Sequence, residues 1–325
     1  MAAALRRHKQ IRTQLLGLVA ASDDQSIKVD AVVEVVKTLE SELIHLHHFI
    51  VAPEDQDVSL ARQLETLLKE MMDSDESPLD PLELNYFLGI LSLFEGEPEE
   101  ARVFFESACE SEESDETTDI KYKSFVMLGH LSHVEKDYER AAELHDQSLH
   151  YTRTSNVMAQ ALALKALNSY ALGKADEAFG MFEKAIGMFD PGEPSYNEYF
   201  HRNSLLFCGA ILFDKEEYGK AAEYYREALD HVDSGSYDYF DALVQLGKIH
   251  FFAGDYDESV SNLQRAVEKQ KTENEYLLDT LYWLARAQLK IDRKGEARRC
   301  LERVVGSPVE YRRKPQAEEL LRKVS

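Results

Sequence analysis

Between residues 82 and 311, apolar side chains return at three- and four-residue spacing, interrupted by short polar breaks. This period predicts amphipathic helices in succession, since a half-buried strand would alternate with period two. Six segments share a finer pattern. Each has an apolar stripe with a small residue at its eighth position and a short break. An Ala follows, then a large residue four later and a small residue three after that. The clearest copies are Leu88-Gly89 … Gly96 … Ala101 … Phe105 … Ala108 and Gly209 … Tyr218 … Ala221 … Tyr225 … Ala228. A third is Leu246-Gly247 … Gly254-Asp255-Tyr256 … Ser259 … Ala266. Weaker copies are Leu128-Gly129 … Tyr138 … Ala141, Ala166 … Gly173 … Ala178 … Phe182 … Ala185, and Leu284-Ala285 … Ala297 … Leu301.

The small residues step 89→129→166→209→247→285, intervals of 37 to 43 residues. The surplus falls in polar joins such as Ser111–Asp119, Asp190–Tyr196 and Asp233–Tyr237, where longer loops cost little entropy. A Gly or Ala on one helix lets its partner approach, and the large residue fills the space beside the crossing. One helix pair cannot bury both its stripes, so neighbouring pairs must stack.

These residues resemble the tetratricopeptide-repeat family over about 82–311, roughly 70% of the chain. The resemblance implies an all-α fold, a right-handed superhelical solenoid of antiparallel helix pairs. It also implies an interaction scaffold or adaptor rather than an enzyme. The departures are Ala166 and Ala285 at position eight, Ser259 in place of Ala, and His145 in place of an aromatic.

Flanking the array, Pro315 opens an amphipathic stretch over Gln316–Val324 that predicts a C-terminal capping helix in 315–325. Residues 1–76 predict helices near 2–21, 26–50 and 58–73, a divergent repeat or cap, with a boundary at Ser77–Pro81. Residues 1–22 carry Arg6, Arg7, Lys9 and Arg12 and no acid. They read as a capping helix whose basic face meets an acidic body, with a mitochondrial targeting segment as the alternative.

By the resemblance, the second, fifth, ninth, twelfth and thirteenth positions of each unit line the concave groove. They include Tyr86, Leu93 and Phe94 in the first unit, His130 in the second, Tyr170 in the third, and Asn203 and Phe213 in the fourth. The fifth contributes Lys248, Phe251 and Phe252, and the sixth Tyr282 and Arg286. In relatives that clamp the acidic tail of heat-shock chaperones, these positions hold Lys, Asn and Arg. The fifth positions here are Tyr, Val, Ala, Leu, Val and Tyr, so that clamp is absent. What remains is an aromatic-rich groove suited to a partner helix or extended peptide. Packing of these rings on neighbouring helices, or occupation of the groove by the N-terminal helices, is the competing reading.

Charge sharpens the picture. The net charge is −23, yet residues 1–22 carry +4 and residues 286–325 carry +6, leaving −33 between them. Such a body repels nucleic acid and tolerates basic partners, and the basic end of one copy meeting the acidic body of another makes homo-oligomerisation an alternative. Three dispersed cysteines, Cys109, Cys208 and Cys300, fit neither a disulfide framework nor a metal site, and point to a reducing, cytoplasmic setting. No apolar run approaches a membrane span, and the N-terminal stretch, lacking an apolar core before a small-residue cleavage site, predicts no secretory signal.

His45-Leu46-His47-His48 and the His130/His133 pair lack a third convergent ligand. Neither a phosphate loop nor a nucleophile motif occurs, so no catalytic, cofactor or metal residue is expected. The acidic tract 106–119, with Ser111, Ser114, Thr117 and Thr118, would suit an acid-directed kinase; a solvated loop is the plainer reading.

Overall fold

The structure is a computed structural model that describes residues 25–46, 55–72, 79–112, 117–232, 236–270 and 272–324. The helix expected near 2–21, the end of the His45–His48 cluster and Ser114 lie outside these residues. Among the described residues the chain forms fifteen α-helices, one short 3-10 turn and no strand. They divide into two compact units, residues 1–174 and 175–325.

The first unit holds α1 (Gln25–Leu46), α2 (Asp55–Met72), α3 (Pro81–Glu95), α4 (Pro98–Glu110), α5 (Thr118–Val134), α6 (Tyr138–Ser148) and α7 (Ser155–Ala171). The second holds α8 (Ala175–Ile186), α9 (Glu198–Asp214), α10 (Tyr218–Asp230), α11 (Tyr237–Ala253), α12 (Tyr256–Lys269), α13 (Glu275–Lys290), α14 (Lys294–Gly306) and α15 (Lys314–Val324). Helices α3/α4, α5/α6, α9/α10, α11/α12 and α13/α14 form the expected hairpins. Helices α7 and α8 carry the halves of the third repeat, one in each unit.

Sequence fixes where the helices begin. Asp80 caps α3 through Leu82 N at 2.8 Å, with Pro81 at the first turn, where its missing N–H costs nothing. Thr154, Asn197, Ser236 and Asn274 cap α7, α9, α11 and α13 in the same way.

The first helix of every repeat ends identically. Its fifteenth residue is left-handed in all six: Gly96, Lys136, Gly173, Glu216, Gly254 and Asp292. Around each, two backbone N–H groups return to the last helical turn. Glu97 N reaches Ser92 O and Gly96 N reaches Leu93 O, at 2.9 and 3.2 Å; Arg293 N reaches Gln288 O and Asp292 N reaches Leu289 O, at 2.8 and 3.3 Å. This motif satisfies carbonyls the helix end leaves open and reverses the chain.

The eighth-position rule holds as contact. A Cβ built on Gly89 would lie 2.6 Å from the Phe105 ring, on Gly129 2.3 Å from His145, on Gly209 2.7 Å from Tyr225, and on Gly247 2.5 Å from Leu263. The His145 departure thus occupies the slot an aromatic fills elsewhere. Asn168 Nδ2 donates to His145 Nδ1 at 2.8 Å, and His133 Nδ1 meets Asn168 Oδ1 at 2.6 Å. Ser259, the other departure, is buried and donates to the Gly247 carbonyl at 2.7 Å, which ties the two helices of its repeat.

At the N-terminal side, α1 and α2 share one core with the first repeat. Val32, Val35, Val36, Leu39, Leu64 and Leu68 are buried with Leu82, Leu88 and Leu91, so no break in the core falls at 77–81. At the other end, Ala317 of α15 is buried and Leu320, Leu321 and Val324 pack on the core of the last repeat, as a cap requires.

Candidate partner-binding surface

The first helix of each repeat carries the groove positions, and the two units treat them differently. In the first unit, α1 covers those of the first repeat. Tyr86, Ile90 and Phe94 are buried in the core that includes Val32, Val35, Val36 and Leu39. Glu40 of α1, itself buried, accepts from Lys123 Nζ of α5 at 3.1 Å. Burial and the nearby Glu40 charge push the Tyr86 phenol well above its ordinary pKa. Tyr86 and Phe94 are therefore core residues under α1 rather than groove residues, and Leu93 is half-buried against the same core. The repeat pattern does not reveal this, because the contact joins segments about 50 to 85 residues apart in sequence.

His130 lies half-buried with its ring 5.5 Å from that of His145, and burial together with the His133 charge lowers it to about 4. Tyr170 sits half-buried on α7. No group of His, Cys, Asp or Glu able to hold a metal occurs among the described residues.

In the second unit the predicted residues converge. Phe213 and Phe252 are 5.5 Å apart, Phe252 and Phe251 5.6 Å, and both Phe251 and Phe252 contact Trp283, at 5.3 and 5.4 Å. Tyr282 joins from α13 at 6.0 Å from Trp283. Arg286 lays its guanidinium 4.4 Å from the Trp283 ring centre and 4.7 Å from that of Phe251. Such cation–π contacts hold an arginine in place without a counter-ion.

Exposure separates these rings. Phe251, Tyr282 and Trp283 are buried, whereas Phe252 is 45% exposed. Asn203 is half-buried three turns before Phe213 on α9, away from the cluster.

The charged groups are arranged around Asp279. Lys248 Nζ reaches its carboxylate at 2.8 Å, Tyr311 Oη at 2.8 Å and Arg313 Nη1 at 3.0 Å. Burial works to raise the Asp279 pKa, but the Lys248 ammonium and the other two donors hold it below the ordinary value. Trp283, Tyr311 and Arg313 escaped the sequence reading. Trp283 lies outside the groove stripe, and the other two lie beyond the last repeat hairpin; the chain's single tryptophan was the available signal.

Residues 240–270 and 279–307 each match the tetratricopeptide repeat family. The chain thus carries two matched tetratricopeptide repeats. The matched segments hold Phe251, Phe252, Tyr282, Trp283 and Arg286, while Phe213 lies outside them.

The fold is similar to the apo form of RapI, with a TM-score of 0.64 and 16% identity over 84% of this chain and 75% of that one. BtubC from P. vanneervenii aligns with a TM-score of 0.50 and 16% identity over 63% of this chain and 82% of that one. YrrB, a tetratricopeptide-repeat protein with an unusual peptide-binding site, aligns at 0.47 and 19% identity over 62% and 90%. No curated protein sequence matches the chain. Among the described residues no helix is long and apolar enough to cross a membrane.

Proposed function

We propose that this tetratricopeptide-repeat chain is a non-enzymatic scaffold that holds a helix or peptide of a partner protein on the α11/α13 face of its second unit. The observation that carries the reading is Phe252. A large ring left 45% exposed, backed by buried Phe251 and Trp283, is the arrangement of an interface anchor. The corresponding face of the first repeat is already covered by α1, whereas Phe252 stands open in the second unit. In this reading Phe213, Tyr218 and Phe252 form the apolar contact, and Lys248 and Arg286 flank it.

Affinity purification of the tagged full chain from extracts tests it, comparing wild type with Phe252→Ala. Phe251 and Tyr282 are unsuitable probes, because both are buried and their truncation would damage the core. A partner retained by wild type and lost from Phe252→Ala, with the helical circular dichroism unchanged, is the expected result. An unchanged partner set refutes the assignment of this face. Self-association through the basic 286–325 end is the second reading, favoured by the charge asymmetry, and sedimentation of the purified chain checks it.

A further inference from the structure

We infer that the Arg286 corner of this face recognises an acidic side chain, so that the partner segment carries Asp or Glu beside apolar residues. The inference rests on the peptide-binding reading above and narrows its ligand class.

Three observations meet at this corner. First, Arg286 is the one cation of the cluster whose charge is not already used. Lys248 and Arg313 both bind Asp279, whereas no carboxylate pairs with Arg286 among the described residues. The residue is half-buried and its guanidinium rests against Phe251 and Trp283, so less side-chain entropy remains to be lost when an anion arrives. Second, the indole Nε1 of Trp283 is buried with no acceptor among the described residues. Buried donors are ordinarily satisfied, but His145 Nε2 and Arg202 Nε are left in the same way, so this donor accompanies the other two observations and does not carry the assignment. Third, the chain shows elsewhere what this kind of face accepts. In the first unit, α1 lies over the corresponding positions with Val36 and Leu39 buried and Glu40 paired to Lys123 of α5. An amphipathic helix with a carboxylate next to its apolar stripe is thus a ligand that these repeats already bind in cis.

Charge complementarity selects among occupants. Residues 286–325, Arg286 and Arg313 among them, carry +6 and favour an acidic group at this corner, although residues 175–285 carry −13. The chain's own residues 1–22, with four cations and no acid, are the wrong sign. The occupant is accordingly a partner segment in which Asp or Glu neighbours Leu, Val or an aromatic. Its apolar side chain rests on Phe252 and its carboxylate meets Arg286.

The test uses a display library of random 15-residue peptides selected on the immobilised full chain. Recovered peptides are then titrated in solution by calorimetry and by the fluorescence of Trp283, the only tryptophan. The expected result is enrichment of Asp or Glu beside apolar residues. Replacing that acid by its amide weakens binding to wild type about tenfold or more, the effect of one charge-assisted hydrogen bond. The same replacement has no further effect on Arg286→Gln. Arg286→Lys keeps part of the affinity, and Arg298→Gln, on an exposed ion pair of α14, keeps all of it.

Peptides that require Phe252 but bind equally with acid or amide overturn the acidic assignment and leave the groove reading intact. Failure to recover any binding peptide overturns both. An Arg286-dependent dimer in sedimentation seats a second copy on the corner and overturns the assignment to a separate partner.

Discussion

The eighth-position contact makes a prediction of sign as well as size. In the fifth repeat a methyl added by Gly247→Ala would lie 2.5 Å from Leu263 Cγ and 2.8 Å from Cδ2. Cγ is the branch point of leucine, close to the backbone, so rotating the far end of the side chain does not clear it. Either the two helices separate or Leu263, which is fully buried, leaves its rotamer. Overpacking of this kind costs about 1–3 kcal/mol, against about 0.5–1 kcal/mol gained by replacing a helical Gly with Ala. The net expectation is a loss of about 1 kcal/mol. Leu263→Ala alone removes a core side chain and costs about 2–5 kcal/mol. In the double variant the new methyl enters part of the space Leu263 vacates. The double therefore loses less than the two singles together, by about 1 kcal/mol or more. Gly180→Ala is the control, because a Cβ there meets nothing within 4 Å and the substitution should stabilise α8. Urea unfolding followed through Trp283, which shares a core with Leu263, reads the local effect. A Gly247→Ala chain as stable as wild type, or strict additivity in the double, refutes the packing argument.

Two further outcomes are expected. Lys136, Glu216 and Asp292 occupy left-handed positions that Gly fills in the other three repeats, at φ of 65°, 63° and 60°. Their combined replacement by Gly should raise the melting temperature, each change contributing about 0.5 kcal/mol after the entropic cost of Gly, while Gly96→Ala or Gly254→Ala should lower it. Burial, followed by the His130 charge, holds the His145 pKa well below 6.5, and burial with the His133 charge holds His130 at about 4. Because the unfolded chain binds these protons first, their stabilisation is complete above about pH 6.5 and is lost as pH falls towards 4. The urea midpoint should therefore drop across that window, and drop less in His145→Phe, where a ring of the kind found at Phe105 cannot titrate.

The repeats were legible because their decisive contacts are close in sequence. Gly89 meets Phe105, Gly209 meets Tyr225 and Gly247 meets Leu263, each pair separated by one turn and two half-helices. The left-handed position is Gly96, Gly173 and Gly254 in three repeats and Lys136, Glu216 and Asp292 in the others, so composition alone does not mark it. The candidate surface was legible only in part. Phe213, Lys248, Phe251, Phe252, Tyr282 and Arg286 do converge, since consecutive repeats place equivalent positions side by side. Which of them face solvent depends on Trp283 and Tyr311, which pack behind them, and the burial of Tyr86 and Phe94 depends on where α1 lies. Neither follows from a pattern read one helix at a time.

The contrast between the two units also bounds how tightly the open face can hold a partner. Over the first unit, α1 buries Val32, Val35, Val36 and Leu39, at about 1.5–3 kcal/mol each, without a cost of association because it belongs to the same chain. On the second unit the large rings are mostly spent on the core, leaving Phe252 as the exposed anchor and Arg286 as the uncommitted charge. One ring and one charge-assisted hydrogen bond contribute on the order of 3–6 kcal/mol before the losses of translation and ordering are met. Even before those losses, this corresponds to a dissociation constant between about 40 micromolar and several millimolar, so a short segment held by these two contacts alone binds weakly. Such a contact exchanges readily, and its strength depends on salt through Arg286. A long-lived complex therefore requires that the partner engage a second surface of this chain, or a second copy of it, at the same time.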